Sequence, residues 1–154
     1  MRFFLIDAII DWQPGERATA IKNVALSEDF FDDHFPRMPI MPGVLILEGM
    51  AQLAGVLLEE TVQKVLHIER KALMTAVDRT KFRQMVRPGA QLTYEARELQ
   101  YNELGGRVFV EAHLGEKRVT ATRFTFVFQT IDDDDLRRDR KRLLALWKGV
   151  AHHD

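Results

Sequence analysis

The chain alternates between two kinds of hydrophobic spacing. Residues 3 to 12 are bulky and β-branched and read as a strand, and Pro14-Gly15 then marks a turn. Residues 16 to 25 read as a second strand, with Ala18, Ala20 and Val24 set against Thr19 and Lys22. Ser27, followed by Glu28 and Asp29, is placed to cap one short helical turn. From residue 44 to 58 the alternation gives way to an almost unbroken apolar run. A helix without a polar face has to be buried on all sides. It should end between Glu60 and His67, because Glu59, Glu60, Gln63 and Lys64 make its last part amphipathic.

Beyond Arg70 the period returns to two. A short strand is expected over 71 to 78, further strands over 91 to 101 and 107 to 114, and a long one over 119 to 130, divided by turns at Arg87-Pro88-Gly89, at 102 to 106 and at Gly115-Glu116. In the last strand Phe124, Phe126 and Phe128 share one face, with Thr125 and Val127 on the other. Two strands, one apolar helix and four strands predict an α+β fold: a curved antiparallel sheet wrapped round a long central helix. Such a sheet leaves an edge that a second copy can cover.

The tail departs from this body, which suggests a domain over 1–131 and an appendage over 132–154. Asp132 to Asp135 suit a helix N-terminus. The basic segment after them sets Leu136, Leu143, Leu144, Trp147 and Val150 on one face. An extra C-terminal helix docked on its own or a neighbouring subunit is expected, with an acidic carrier protein or a membrane surface as the alternatives.

Composition narrows the field without naming a function. A chain of 154 residues makes about one domain, and a formal net charge of -1 argues against nucleic acid. With no cysteine there is no disulfide, thiol nucleophile or thiolate metal site. No His/Asp/Glu spacing resembles a metal site, and no phosphate loop or nucleophile elbow is present. The N-terminal stretch lacks a signal-type apolar region, and the central helix is too short and interrupted to span a bilayer, so a cytoplasmic location is expected.

Chemistry concentrates around residues 32 to 55. Pro36, Pro39 and Pro42 stiffen a loop that carries His34, and Pro42 suits the first turn of the helix. Near Gly43 the helix start offers unpaired backbone N–H groups at the positive end of its dipole. Glu48 and Gln52, four apart, share one face of an otherwise apolar helix. A histidine base, a carboxylic acid and an oxyanion-type donor in one short stretch suit acid–base chemistry on a carbonyl compound.

The run His34-Phe35-Pro36, Pro39, Met41-Pro42-Gly43-Val44, Glu48, Met50-Ala51-Gln52 and Gly55 resembles the signature of the 3-hydroxyacyl-[acyl-carrier-protein] dehydratases of FabZ type. Phe4-Leu5-Ile6-Asp7, Ile21 to Val24, Val77-Asp78, Lys81-Phe82-Arg83 and Val86 to Gly89 extend the likeness over about residues 3 to 130. The resemblance implies a hotdog fold and the conversion of (3R)-3-hydroxyacyl to trans-2-enoyl thioesters in fatty-acid or related lipid or polyene synthesis. His34 would be the base at C2 and Glu48 the acid at the 3-hydroxyl. The Gly43 N–H would hold the thioester carbonyl, and Gln52 would orient Glu48.

It further implies no metal or redox cofactor, the substrate riding on the phosphopantetheine arm of acyl carrier protein. The histidine of one subunit would work with the acid of the other, in a homodimer or a trimer of dimers. Lys81, Arg83 and Arg87 are candidates for docking the acidic carrier. The chain departs from the family pattern at Arg37, where glycine is usual, at Gly49, where alanine is usual, at Ala8 and in its opening residues. Gly49 weakens the helix and leaves room for a bulkier neighbour or substrate. Glu48 argues against the related dehydratase-isomerases, which use Asp there. A low-activity acyl-thioester-binding scaffold subunit of a hetero-oligomer and a hotdog thioesterase stand as alternatives.

Overall fold

The computed structural model describes residues 3–149. Six strands form one antiparallel sheet: β1 (Ala8–Gln13), β2 (Arg17–Asn23), β3 (Arg70–Val77), β4 (Gln91–Tyr101), β5 (Gly105–Leu114) and β6 (Lys117–Thr130). Their order is β1-β2-β4-β5-β6-β3, which leaves β1 and β3 as edges. Three helices complete the chain: α1 (Phe30–Asp33), α2 (Gly43–Leu66) and α3 (Asp134–Lys148). The curved sheet around one long helix, with an added C-terminal helix, is the architecture that the hydrophobic spacing predicts.

α2 lies on the inner face of the sheet. Leu53, Leu57, Leu58 and Val62 are wholly buried against it, and each such aliphatic side chain stabilises the fold by about 2 kcal/mol. The helix closes at His67, whose left-handed backbone (φ 57°) turns its N–H onto the carbonyl of Val62. Cover is not complete as expected, for Val44, Val65 and Leu66 remain exposed.

Gly49 sits where α2 passes closest to β4. A Cβ there would stand 2.5 Å from the Tyr94 hydroxyl and 2.8 Å from its Cζ, so the missing methyl makes room for the phenol. Tyr94 is fully buried, and its hydroxyl has no hydrogen-bond partner among the described residues. Burial, and to a lesser degree the charge on Asp7, pushes the phenol above its ordinary pKa. Tyr94→Phe is therefore expected to raise the unfolding free energy by about 1 kcal/mol, as it removes an unpaired buried hydroxyl. Gly49→Ala should lower it by about 1–3 kcal/mol through overpacking, and by less in the Tyr94→Phe chain. Urea unfolding of the three variants measures both effects.

Several details differ from expectation. The first ladder begins at Ala8, because residues 3–6 pair with a side chain rather than a strand: the Leu5 N–H donates to Gln52 Oε1 at 3.1 Å. Lys22 faces inward with Ala20 instead of outward, being two residues further along the same strand. It is 5% exposed, and its ammonium reaches Glu28 Oε1 at 2.6 Å. Ser27 does not cap α1; Asp29 holds that position, without a side-chain cap bond.

Glu59 is the largest departure. It is 5% exposed rather than on a solvated face. Its carboxylate accepts from the Ala72 N–H at 2.9 Å, lies 3.5 Å from Lys71 Nζ and pairs with Arg140 of α3.

α3 docks on its own chain. Asp133 caps it, accepting from the N–H groups of Asp135 (2.8 Å) and Leu136 (3.3 Å). Arg137 then pairs with Glu69 at 2.9 Å. Trp147 is buried edge-on against Phe4, with ring centroids 6.4 Å apart, and Lys148 lies over the Trp12 ring. Leu143 and Leu144 pack inward as expected, whereas Leu136 is exposed. Val150 falls outside the described residues.

Candidate active site

Two buried rings hold the histidine loop. Phe30 and Phe31 anchor α1 in the core, and the His34 N–H closes that turn on the Phe30 carbonyl at 3.0 Å. The imidazole Nδ1 lies 2.7 Å from the carbonyl oxygen of Ile40. A carbonyl can only accept, so Nδ1 carries the hydrogen and Nε2 of the neutral ring keeps its lone pair. Phe35 stacks at a tilt on the ring, 4.4 Å between centroids, and holds a left-handed backbone, φ +62°. That conformation costs a bulky residue about 1–2 kcal/mol. Phe35, Arg37 and Met38 are exposed.

The loop then enters α2. Met41 is buried, and its N–H bonds the Val86 carbonyl at 2.8 Å. Pro42 stands as the N-cap, and its carbonyl receives the Leu45 N–H at 3.0 Å. Gly43, the first helical residue, therefore presents an N–H that no helical carbonyl can reach. A Cβ at Gly43 would stand 2.8 Å from the Phe82 ring, so glycine lets that ring close over the helix start.

About two and a half turns further along α2, Gln52 is fixed from two sides. Its Oε1 accepts from Leu5, and its Nε2 donates to the Phe3 carbonyl at 2.9 Å and to Glu48 Oε1 at 3.3 Å. The amide orientation is thereby set, and with it the placing of Glu48. Glu48 is half-buried rather than enclosed. It borders a cavity of about 310 Å³ whose floor is made by Ala51, Gly55 and Ala72, with Phe126 beside them.

His34 is not on the walls of that cavity; its loop borders a separate apolar recess of Phe35, Pro36, Arg37 and Met38. One chain alone thus brings Glu48, Gln52 and the α2 start onto one helix and leaves the imidazole elsewhere.

Of the basic trio, Lys81 and Arg83 share a surface cleft, and Arg87 does not line it. Arg79 and Arg118 complete the cleft and were not singled out by the sequence. Arg79 is two residues from Lys81, a spacing that could have flagged it; Arg118 arrives from β6 and could not be seen in advance.

Glu95, Glu111 and His113 bring three ligand atoms within 4.8 Å of one another on β4 and β5. Spacing missed them because the ligands come from neighbouring strands. Burial pulls the Glu111 carboxyl upward, but hydrogen bonds from Arg97 and His113 outweigh it and hold its pKa below the ordinary value. Arg97 (3.2 Å) and Arg118 (3.5 Å) already balance that carboxylate.

A sheet curled round one helix, with an acid and an amide on the helix and a histidine in the loop before it, defines a hotdog domain of the FabA-like class. The family model described as FabA-like domain matches residues 1–124. The chain belongs to the FabZ-type 3-hydroxyacyl-[acyl-carrier-protein] dehydratases, a family of hydro-lyases.

Relatives of that name are 39% identical in Oleidesulfovibrio alaskensis, covering 77% of this chain and 80% of the relative. In Chlamydia pneumoniae the figure is 41%, covering 80% and 81%. A third, from Shewanella sediminis, is 44% identical over 95 residues, and the match spans 62% of either chain.

Among solved structures, the dehydratase heterocomplex ApeI:P from Xenorhabdus doucetiae matches with TM-score 0.56 at 15% identity, covering 79% of this chain and 97% of that one. The HP0420 homologue from Helicobacter felis matches at 0.61 and 12%, covering 84% and 82%. At such identities the likeness is one of fold. Among the described residues no helix is long and apolar enough to cross a membrane.

Proposed function

We propose that the protein dehydrates (3R)-3-hydroxyacyl-[acyl-carrier-protein] thioesters to the trans-2-enoyl thioesters, in fatty-acid or related lipid or polyene synthesis. The observation that carries this is the tautomer lock on His34. The Ile40 carbonyl holds the Nδ1 hydrogen, so Nε2 is the free base.

Nε2 takes the proton from C2. The electrons of that C–H bond become the second bond between C2 and C3 as the C3–O bond breaks. Glu48 gives its proton to the departing hydroxyl, which leaves as water. Charge that builds on the thioester oxygen is met by the Gly43 N–H at the start of α2. Gln52 positions Glu48 through the bonds to Phe3 and Leu5. No step needs a metal or redox group.

His34 is not among the residues that line the Glu48 cavity of its own chain, which supports a site that takes its base from one subunit and its acid from the other. The exposed β3 edge supports such a homodimer, for it presents Leu73, Met74 and Val77 to solvent. An unpaired apolar edge is a ready template for a second copy. The exposed Arg79, Lys81 and Arg83, with Arg118, form a cationic cleft suited to an acidic carrier protein.

The test is turnover of 3-hydroxyacyl carrier-protein thioesters by the purified chain, followed by enoyl absorbance. Activity of the chain alone is expected; activity only with a second, different subunit would favour the scaffold alternative, and thiol release would favour a thioesterase. Lys81→Glu with Arg83→Glu should raise KM for the carrier-bound substrate about tenfold and leave turnover of a small pantetheine thioester unchanged.

A further inference from the structure

We propose that α3 is the roof of the acyl cavity and that Trp147, with Leu143, sets the longest acyl chain the enzyme accepts. The substrate comes from the acyl-thioester function proposed above; the wall is a property of this chain. α3 lies beyond residues 1–124, where the family model matches.

The cavity that Glu48 borders takes part of its wall from Leu143 and Trp147 of α3. Its floor is made of small side chains, and Gly55 leaves an added Cβ only ordinary contact with Phe126, at 3.6 Å. An alkyl chain leaving a thioester beside Glu48 can therefore lie along this floor. What it meets on the opposite side is the indole of Trp147, 4% exposed and braced edge-on by Phe4. Along α2 from Glu48 the lining turns charged: Glu59 and Lys71 border the same space, and Arg140 pairs with Glu59. A methyl terminus gains nothing by entering an ion pair. At about 310 Å³ the cavity lies at the small end of the range for small-molecule sites, which suits short to medium acyl chains.

The roof is also tied to the acid. Phe4, which braces Trp147, sits between the two residues whose backbone Gln52 holds, and Gln52 bonds Glu48. Acyl length and acid placement are therefore read by one connected set of contacts.

The experiment uses the full chain and its Trp147→Ala and Leu143→Ala variants. Binding of S-alkyl pantetheine thioethers, from butyl to tetradecyl, is titrated by calorimetry. Turnover is measured with 3-hydroxyacyl carrier-protein thioesters of the same lengths. In the unaltered chain, affinity should rise about fourfold per methylene up to a limiting length and then stop. Trp147→Ala should move that limit upward by about two methylenes and raise the long-to-short ratio of kcat/KM about tenfold. Leu143→Ala, a milder change on a half-buried residue, should move it the same way by less, which keeps the test sound if the tryptophan variant folds poorly.

A limit at the same length in all three chains overturns the proposal. Absence of turnover at every length, with the binding limit still shifting, would sink the dehydratase function and leave the roof standing.

Discussion

His34→Ala is expected to lower dehydration by about 100- to 10,000-fold, the contribution typical of a general base, and Glu48→Gln to do the same through the acid. The informative result comes from mixing the two inactive proteins. If each site joins the imidazole of one subunit to the carboxyl of its partner, a mixed dimer carries both lesions in one site and none in the other. Random exchange makes half the dimers mixed, so activity should return to about a quarter of the unaltered level. Were both groups supplied by the same chain, every site would keep a lesion and mixing would restore nothing. Rates before and after subunit exchange, followed by enoyl absorbance, decide between the two. Gln52→Ala should act through Glu48, lowering kcat and altering the acid limb of the pH profile more than KM.

Arg140→Ala is expected to destabilise the fold by about 3 kcal/mol, the low end for removing one partner of a buried ion pair. Glu59 is nearly inaccessible, so its charge cannot turn to water once the guanidinium is gone. Lys71, 3.5 Å away, and the Ala72 N–H retain part of the compensation. Glu59→Gln should cost less, since an amide oxygen still accepts from Ala72 and Arg140 is partly exposed. Urea unfolding reports the total, and the fluorescence of Trp147 reports whether α3 leaves first. A change within about 0.5 kcal/mol for Arg140→Ala would mean that the pair is a surface contact of the ordinary kind.

What could be seen in the sequence was what local spacing encodes. The apolar run after Gly43, the alternation in β4 to β6 and the acidic cap of α3 each follow from a period or an end signal a few residues wide. The room left by Gly49 was also legible, and Tyr94 occupies it.

What escaped depends on partners distant in the chain. Glu59 followed by Glu60 looks like a solvated turn until Arg140, 81 residues on, is placed beside it. Lys22 looks exposed by residue type, though its position in the strand puts it on the inner face with Ala20. The aliphatic stem tolerates burial once Glu28 meets the ammonium. Arg118 joins the basic cleft only because β6 passes beneath Lys81 and Arg83; the Arg83 N–H bonds the Val119 carbonyl at 2.7 Å. The cavity wall supplied by α3 could not be read from an amphipathic pattern, which says that a helix docks but not on what.

Phe35 has a bearing on how this enzyme can change. Its left-handed backbone is confined from both sides, by the His34 ring it stacks upon and by Pro36, whose own ring narrows the freedom of the residue before it. Arg37, two positions later, points into solvent. Steric confinement at one residue and an open, charged position at the next but one divide the loop into a fixed half and an adjustable half. The loop surface at Arg37 can therefore acquire a new charge while the imidazole, tied to the Ile40 carbonyl, stays where it is.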